Sequence, residues 1–153
     1  MAKILLIQGA NMNLLGIREP DIYGRTTAAE LDKMLQEYVK TKAVHLEIFY
    51  TNSEGECIDR IIQAYHENVD ALVIFLMHHP FMDLKRVIRP VLRQRQLSKK
   101  PVILGVNALH GSIDEEVAEL ETAGIPVYSL PDRAIRALRG LIVYGEMFKK
   151  KGC

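Results

Sequence analysis

Ala71-Leu-Val-Ile-Phe-Leu-Met77 is the longest apolar run in the chain. Seven residues are far short of the roughly 20 that a membrane span needs. Short, rich in Val, Ile, Leu and Phe, and bounded by polar residues, the segment predicts a strand over Leu72–Leu76 that is buried on both faces, as parallel strands are. Four more runs of the same kind flank it: Ile4–Ile7 and Val44–Tyr50 before it, Val102–Val106 and Ile125–Tyr128 after it.

Helical spacing fills the intervals. Leu31, Met34, Leu35, Tyr38 and Val39 follow the i, i+3, i+4, i+7, i+8 pattern, and Ile58, Ile61, Ile62 and Tyr65 repeat it, as do Ile135, Leu138, Leu141 and Ile142. Thr27-Ala-Ala-Glu30, Ser53-Glu-Gly-Glu56 and Ser112-Ile-Asp-Glu115 each match the S/T-x-x-E capping box at a helix start. Pro131 suits a first helical position, and Gly124 suits the C-cap of the fourth helix. Five strand–helix units in a row imply a parallel sheet covered on both faces, within a single domain spanning 1–153. The simplest such α/β fold at this length is a flavodoxin-like three-layer sandwich with a five-stranded parallel sheet in the order 2-1-3-4-5. Ligands then bind beyond the carboxyl ends of the strands, which points to the loops starting at Gly9, Met77 and Asn107.

Composition narrows the function. The 153 residues carry 20 Lys+Arg against 19 Asp+Glu, a net charge of +1. That balance excludes a broad basic footprint for nucleic acid. The start, MAKILLIQGA, lacks a small-residue cleavage pattern, so no signal peptide and no membrane association are expected. Cys57 and Cys153 form neither a disulfide framework nor a metal-type spacing, which fits a reducing, cytoplasmic setting with no metal and no cofactor. The basic tail Lys149–Lys151 and the Arg86, Arg89, Arg93, Arg95 series read as solvated surface. His45 and His66 read the same way, and Cys57 as a small core residue.

The segment after the first strand, Gly9 to Gly24, is the longest loop: GANMNLLGIREPDIYG. Loops between strand and helix usually run 2–6 residues, and longer ones are often lids or binding loops. This one offers Asn11, Asn13, Arg18 and Tyr23. It lacks the G-x-G-x-x-G spacing and the Lys-Ser/Thr ending of phosphate-cradling loops. An Arg and a Tyr together suit proton abstraction, because a free phenol ionises near pH 10 and a neighbouring guanidinium favours the phenolate. The plainer expectation is that Tyr23 packs on the sheet and Arg18 pairs with Glu19 or Asp21.

Gly9-Ala-Asn11-Met-Asn13-Leu-Leu-Gly16-Ile-Arg18-Glu19-Pro20-Asp-Ile-Tyr23-Gly24 resembles the signature G-P-N-L-N-L-L-G-x-R-E-P-x-x-Y-G of type II 3-dehydroquinate dehydratases, and only Ala10 and Met12 depart from it. Asn52-Ser-Glu54-Gly55-Glu56-Cys57-Ile58-Asp59 is similar to that family's S-N-x-E-G-E-L-I-D block. The resemblance covers roughly residues 3–70. It implies that Tyr23 removes an α-proton from a cyclic ketone, that Arg18 activates it and closes the lid, and that Asn11 places the water that stabilises the enolate. It also implies a histidine as general acid.

The second half departs from that pattern. Where the family has N-P-G-A-Y-T-H-T-S, this chain reads Phe75-Leu-Met-His78-His79-Pro80-Phe-Met-Asp83. Where the family has E-V-H-x-S-N-x-H-A-R-E, it reads Leu104-Gly-Val106-Asn107-Ala-Leu-His110-Gly111. Val106 stands in place of the acid histidine, Leu104 in place of the glutamate and Val117 in place of an arginine. Val69–Phe75, Lys100–Ile103, Ala123–Ser129, Pro131–Leu138 and Tyr144-Gly-Glu resemble instead a flavodoxin-like domain of NDP-forming acyl-CoA synthetases. The pairing suggests an engineered chimera spliced near residues 58–72. Such a hybrid scaffold would carry an incomplete dehydratase site with little catalysis, as a monomer or small homo-oligomer able to bind a small anion. The alternative is a 3-dehydroquinate dehydratase with a rebuilt general acid. Tyr23, Arg18 and Asn11 are then the catalytic candidates, and His78, His79, Asn107 and His110 the substrate-binding ones.

Overall fold

The computed structural model describes residues 1–42, 44–78, 83–98, 100–108, 111–129 and 131–150. β1 (Ala2–Gln8) is followed by a 3-10 turn (Met12–Leu14), α1 (Pro20–Tyr23), α2 (Ala28–Lys40), β2 (Val44–Tyr50), α3 (Glu54–His66), β3 (Ala71–Met77), α4 (Leu84–Leu97), β4 (Val102–Asn107), α5 (Asp114–Thr122), β5 (Val127–Tyr128) and α6 (Pro131–Lys150). The sheet is parallel in the order β2-β1-β3-β4-β5, the flavodoxin-like arrangement the sequence predicts. Among the described residues, no helix is long and apolar enough to cross a membrane.

Alternation along the strands divides the core. Leu5, Ile7, Leu72, Ile74, Val102 and Leu104 face α3, α4 and α5, where Ile61, Val87, Ile88, Val91 and Leu120 meet them. Ile4, Leu6, Val73, Phe75 and Ile103 face α2 and α6, where they meet Val39, Ala134 and Leu138. Burial of this apolar surface on both faces is what favours the layered arrangement.

Local chemistry explains most element ends. Thr27 makes the full capping box: its hydroxyl accepts from the Glu30 N–H at 3.2 Å, and the Glu30 carboxylate accepts from the Thr27 N–H at 2.8 Å. Ser53 makes only half of one. Its hydroxyl accepts from the Glu56 N–H at 3.4 Å, but the Glu56 carboxylate takes a 2.6 Å bond from the Thr51 hydroxyl instead. α5 starts one residue later than the Ser112–Glu115 spacing predicts, with Ile113, which has no side-chain acceptor, at its N-cap. Gly124 adopts φ +76° at the end of α5, a conformation that favours glycine. The last strand is shorter than expected. Ile125 is fully buried but precedes it, and Pro126 takes part through its carbonyl, which accepts from the Leu104 N–H at 3.1 Å. The C-terminal end of α3 is closed by Lys100, whose Nζ donates to the carbonyls of Ala64, Tyr65 and Glu67 at 3.1, 3.2 and 2.8 Å.

An ionic chain joins the β2 edge to α3. Glu47 accepts from Lys3 at 2.9 Å and pairs with the buried Arg60, which also reaches Glu67 at 3.1 Å. The Lys3 and Arg60 hydrogen bonds hold the Glu47 carboxyl below its ordinary value of 4.5. A lowered folded-state value means stability that is fully present above the unfolded value and lost as pH falls through the folded one. Glu47→Gln is therefore expected to lower the melting temperature at pH 7, with the gap to the parent closing below about pH 4.5. A gap that does not narrow at all as the pH falls below 4.5 would contradict this origin.

Candidate active site

The Gly9–Gly24 segment is not the uninterrupted loop the sequence suggests. It folds into the 3-10 turn and the short helix α1, and it is pinned at several points. The Gly9 N–H donates to the Phe75 carbonyl at 2.8 Å, extending the β1–β3 pairing by one residue. A Cβ there would lie 2.8 Å from Leu76 Cδ2 and 3.1 Å from that carbonyl, so any side chain would crowd the end of β3. Asn11 takes the left-handed conformation (φ 66°), and its N–H donates to Asn52 Oδ1 at 2.7 Å. Met12 is buried against the α2–α6 face of the sheet. Gly16 (φ +75°) passes so close to Arg25 and Thr27 that a Cβ would sit within 3 Å of both.

The far end of the segment presents the chemistry. Glu19, at φ 41°, caps α1 from its N-terminal side, and the Tyr23 N–H donates to its carbonyl at 3.0 Å. Arg18 Cζ lies 5.7 Å from the centre of the Tyr23 ring, within cation–π range. Arg18 Nε also pairs with Glu19 at 3.3 Å, as the plainer expectation had it. Tyr23 does not pack on the sheet; it is 45% exposed.

Beneath this segment lies a cavity of about 470 Å³. Arg18, Tyr23 and Asn11 line it from the loop side, and Leu76, Met77 and His78 from the end of β3. Its position beyond the carboxyl ends of the strands is where a flavodoxin-like sheet binds ligands. His78 is held there by its N–H, which donates to the Asn107 carbonyl at 2.8 Å. Asn107 is exposed and is not among the residues that line the cavity; its carbonyl is what meets β3. His79 and His110 lie outside the described residues. His45 and His66 are on the surface, as expected.

The second block, read only as a family resemblance, supplies the remaining wall. Thr51, Asn52, Ser53, Glu54 and Cys57 all line the cavity. The short connection from β2 into α3 carries Thr51, Asn52 and Ser53 there, and the first turn of α3 carries Glu54 and Cys57. A short polar turn between a strand and a helix was the available signal. Cys57 is both core and cavity floor, and burial, with Glu54 nearby, pushes its thiol up to about 11, which leaves it protonated and inert at neutral pH. Among the described residues, no three His, Cys, Asp or Glu side chains could hold a metal ion.

The model of the family described as Dehydroquinase class II matches residues 2–78, just over half of the chain. The chain belongs to that family. This dehydroquinase-family chain is 51% identical over 73 residues to the 3-dehydroquinate dehydratase of Polynucleobacter asymbioticus, a match covering 48% of this chain and 49% of that one. It is 49% identical over 75 residues to the 3-dehydroquinate dehydratase of a Janthinobacterium species, covering 48% and 52%. The chain thus spans about half the length of these curated relatives in what it matches.

Similarity of structure extends further. The crystal structure of a type II dehydroquinase from Butyrivibrio crossotus superposes with a TM-score of 0.60 at 29% identity, covering 97% of both chains. The type II dehydroquinase from Propionibacterium acnes gives a TM-score of 0.63 over 93% of this chain and 96% of that one, at 22% identity, which speaks to the fold alone. The expected splice with an acyl-CoA synthetase domain gains no support from these comparisons. A dehydroquinase fold accounts for the second half as well as the first.

Proposed function

We propose that this chain is a 3-dehydroquinate dehydratase with a rebuilt general acid. The observation that carries this reading is that Arg18, Tyr23 and His78 line one cavity, within the segment that matches the family. Tyr23, as phenolate, takes an α-proton from the cyclic ketone to leave an enolate, while Arg18 supplies a positive charge beside the phenol. Asn11, which lines the same cavity, places the water that stabilises the enolate. His78 then donates a proton to the departing hydroxyl. The C–O bond breaks, water leaves, and the conjugated enone forms. Val106 and Leu104, at the positions where the resemblance implies an acid histidine and a glutamate, are buried in the core and supply neither group. Removing a general acid costs about 10²–10⁴-fold, which is the loss expected when His78 is replaced.

The test is incubation with 3-dehydroquinate, read by the absorbance of the enone, for the parent and for His78→Gln. Slow product from the parent and a further loss in the variant are expected. No product from a cooperatively folded parent overturns the reading and favours the inactive scaffold. Asn52→Ala adds a second expectation. Without its acceptor the Asn11 amide loses its anchor, so KM should rise several-fold while the melting temperature stays near that of the parent. An unchanged KM would mean that this bond does not set the loop.

A further inference from the structure

On one face of the sheet the helices touch: α3 packs on α4, and α4 on α5. On the other they do not. α2 leans on β2, α6 on β3, β4 and β5, and the two helices make little contact with each other. Between them the sheet itself is the floor, formed by Ile4, Leu6 and Val73. The gap is a cavity of about 350 Å³, at the lower end of the roughly 300–1,000 Å³ typical of small-molecule sites. It shares no lining residue with the cavity beneath Arg18 and Tyr23.

The chemistry of the walls is uneven. Side chains such as Leu35, Ile135 and Leu138 make them apolar, yet Lys42 and Arg139 also line the space and no carboxylate does, among the described residues. Lys42 Nζ lies 3.2 Å from the Thr41 hydroxyl and 5.1 Å from the centre of the Tyr38 ring. Neither cation has a carboxylate partner among the described residues. An apolar slot with two positive charges and, among the described residues, no negative one is complementary to a single hydrocarbon tail ending in one anion.

We propose that this groove is a binding site for a free medium-chain alkanoate, its tail over Ile4, Leu6 and Val73 and its carboxylate between Lys42 and Arg139. The site is independent of the dehydratase reading. Calorimetric titration of the full chain with hexanoate, octanoate and octanol, each below its micellar or solubility limit, tests it. One saturable site is expected. Octanoate should bind roughly 15-fold more tightly than hexanoate, since each buried methylene contributes about fourfold. Lys42→Gln and Arg139→Gln should weaken octanoate but not octanol. Ile135→Trp, which fills the slot, should abolish both.

Four results would overturn the assignment. The first is no saturable heat. The second is octanol binding as tightly as octanoate. The third is octanoate binding unchanged in the Lys42→Gln, Arg139→Gln double variant. The fourth is a dimer in sedimentation velocity whose formation excludes octanoate, which would give the groove to a second copy of the chain.

Discussion

Tyr23→Phe is expected to slow the conversion of 3-dehydroquinate by about 10²–10⁴-fold, the usual worth of a positioned acid or base. The substitution removes one hydroxyl from a side chain that is 45% exposed, so no buried partner is left unsatisfied. The ring remains, and with it the contact to Arg18 at 5.7 Å. Thermal unfolding should therefore match the parent while turnover collapses. Equal turnover in the two proteins would remove Tyr23 from the chemistry and, with it, the reason for reading this loop as a catalytic lid.

The largest effect on stability is expected at the centre of the sheet. Ile74 is fully buried on β3, between β1 and β4, in the core shared with α3, α4 and α5. Ile74→Ala removes buried methyl and methylene groups and leaves a cavity whose walls belong to regular elements that collapse poorly. The cost should be about 2–5 kcal/mol. For a chain of this size each kcal/mol lowers the melting temperature by roughly 2–4 °C, and calorimetry reads the shift directly. A loss below about 1 kcal/mol would mean that the core repacks around the gap.

Much of the architecture was legible in the sequence because its cues are local. Val, Ile, Leu and Phe in five short runs gave the strands, and the Thr27–Glu30 box fixed the start of α2 with hydrogen bonds between residues three apart. Cues that depended on a partner were less reliable. The S-x-x-E spacing predicts that Glu56 reaches back to its own helix start, but its carboxylate accepts from the Thr51 hydroxyl, outside the helix. Ile125 belongs to the core by hydrophobicity, yet the strand begins after Pro126.

The candidate site divides in the same way. Arg18 and Tyr23 are five residues apart, and one turn of helix joins them, so composition and spacing brought them together. The contribution of Asn52 was not visible, because its bond to Asn11 spans 41 positions of sequence. Asn107 is expected as a substrate-binding residue; in the structure its carbonyl meets β3 and the residue is exposed. The reading of two parents came from a second half whose motifs differ from the first; packing does not record that difference, since both halves share one sheet and both core faces.

The Gly9–Gly24 segment is fastened to three places distant from it in sequence or outside its own span: the Phe75 carbonyl, Asn52 and the Arg25–Thr27 approach to Gly16. It is therefore not a portable cassette. An engineer who transplanted only these sixteen residues onto another flavodoxin-like sheet would move the phenol and the guanidinium without the fixtures that aim them. A working graft has to bring the end of the third strand and the turn after the second along with the loop.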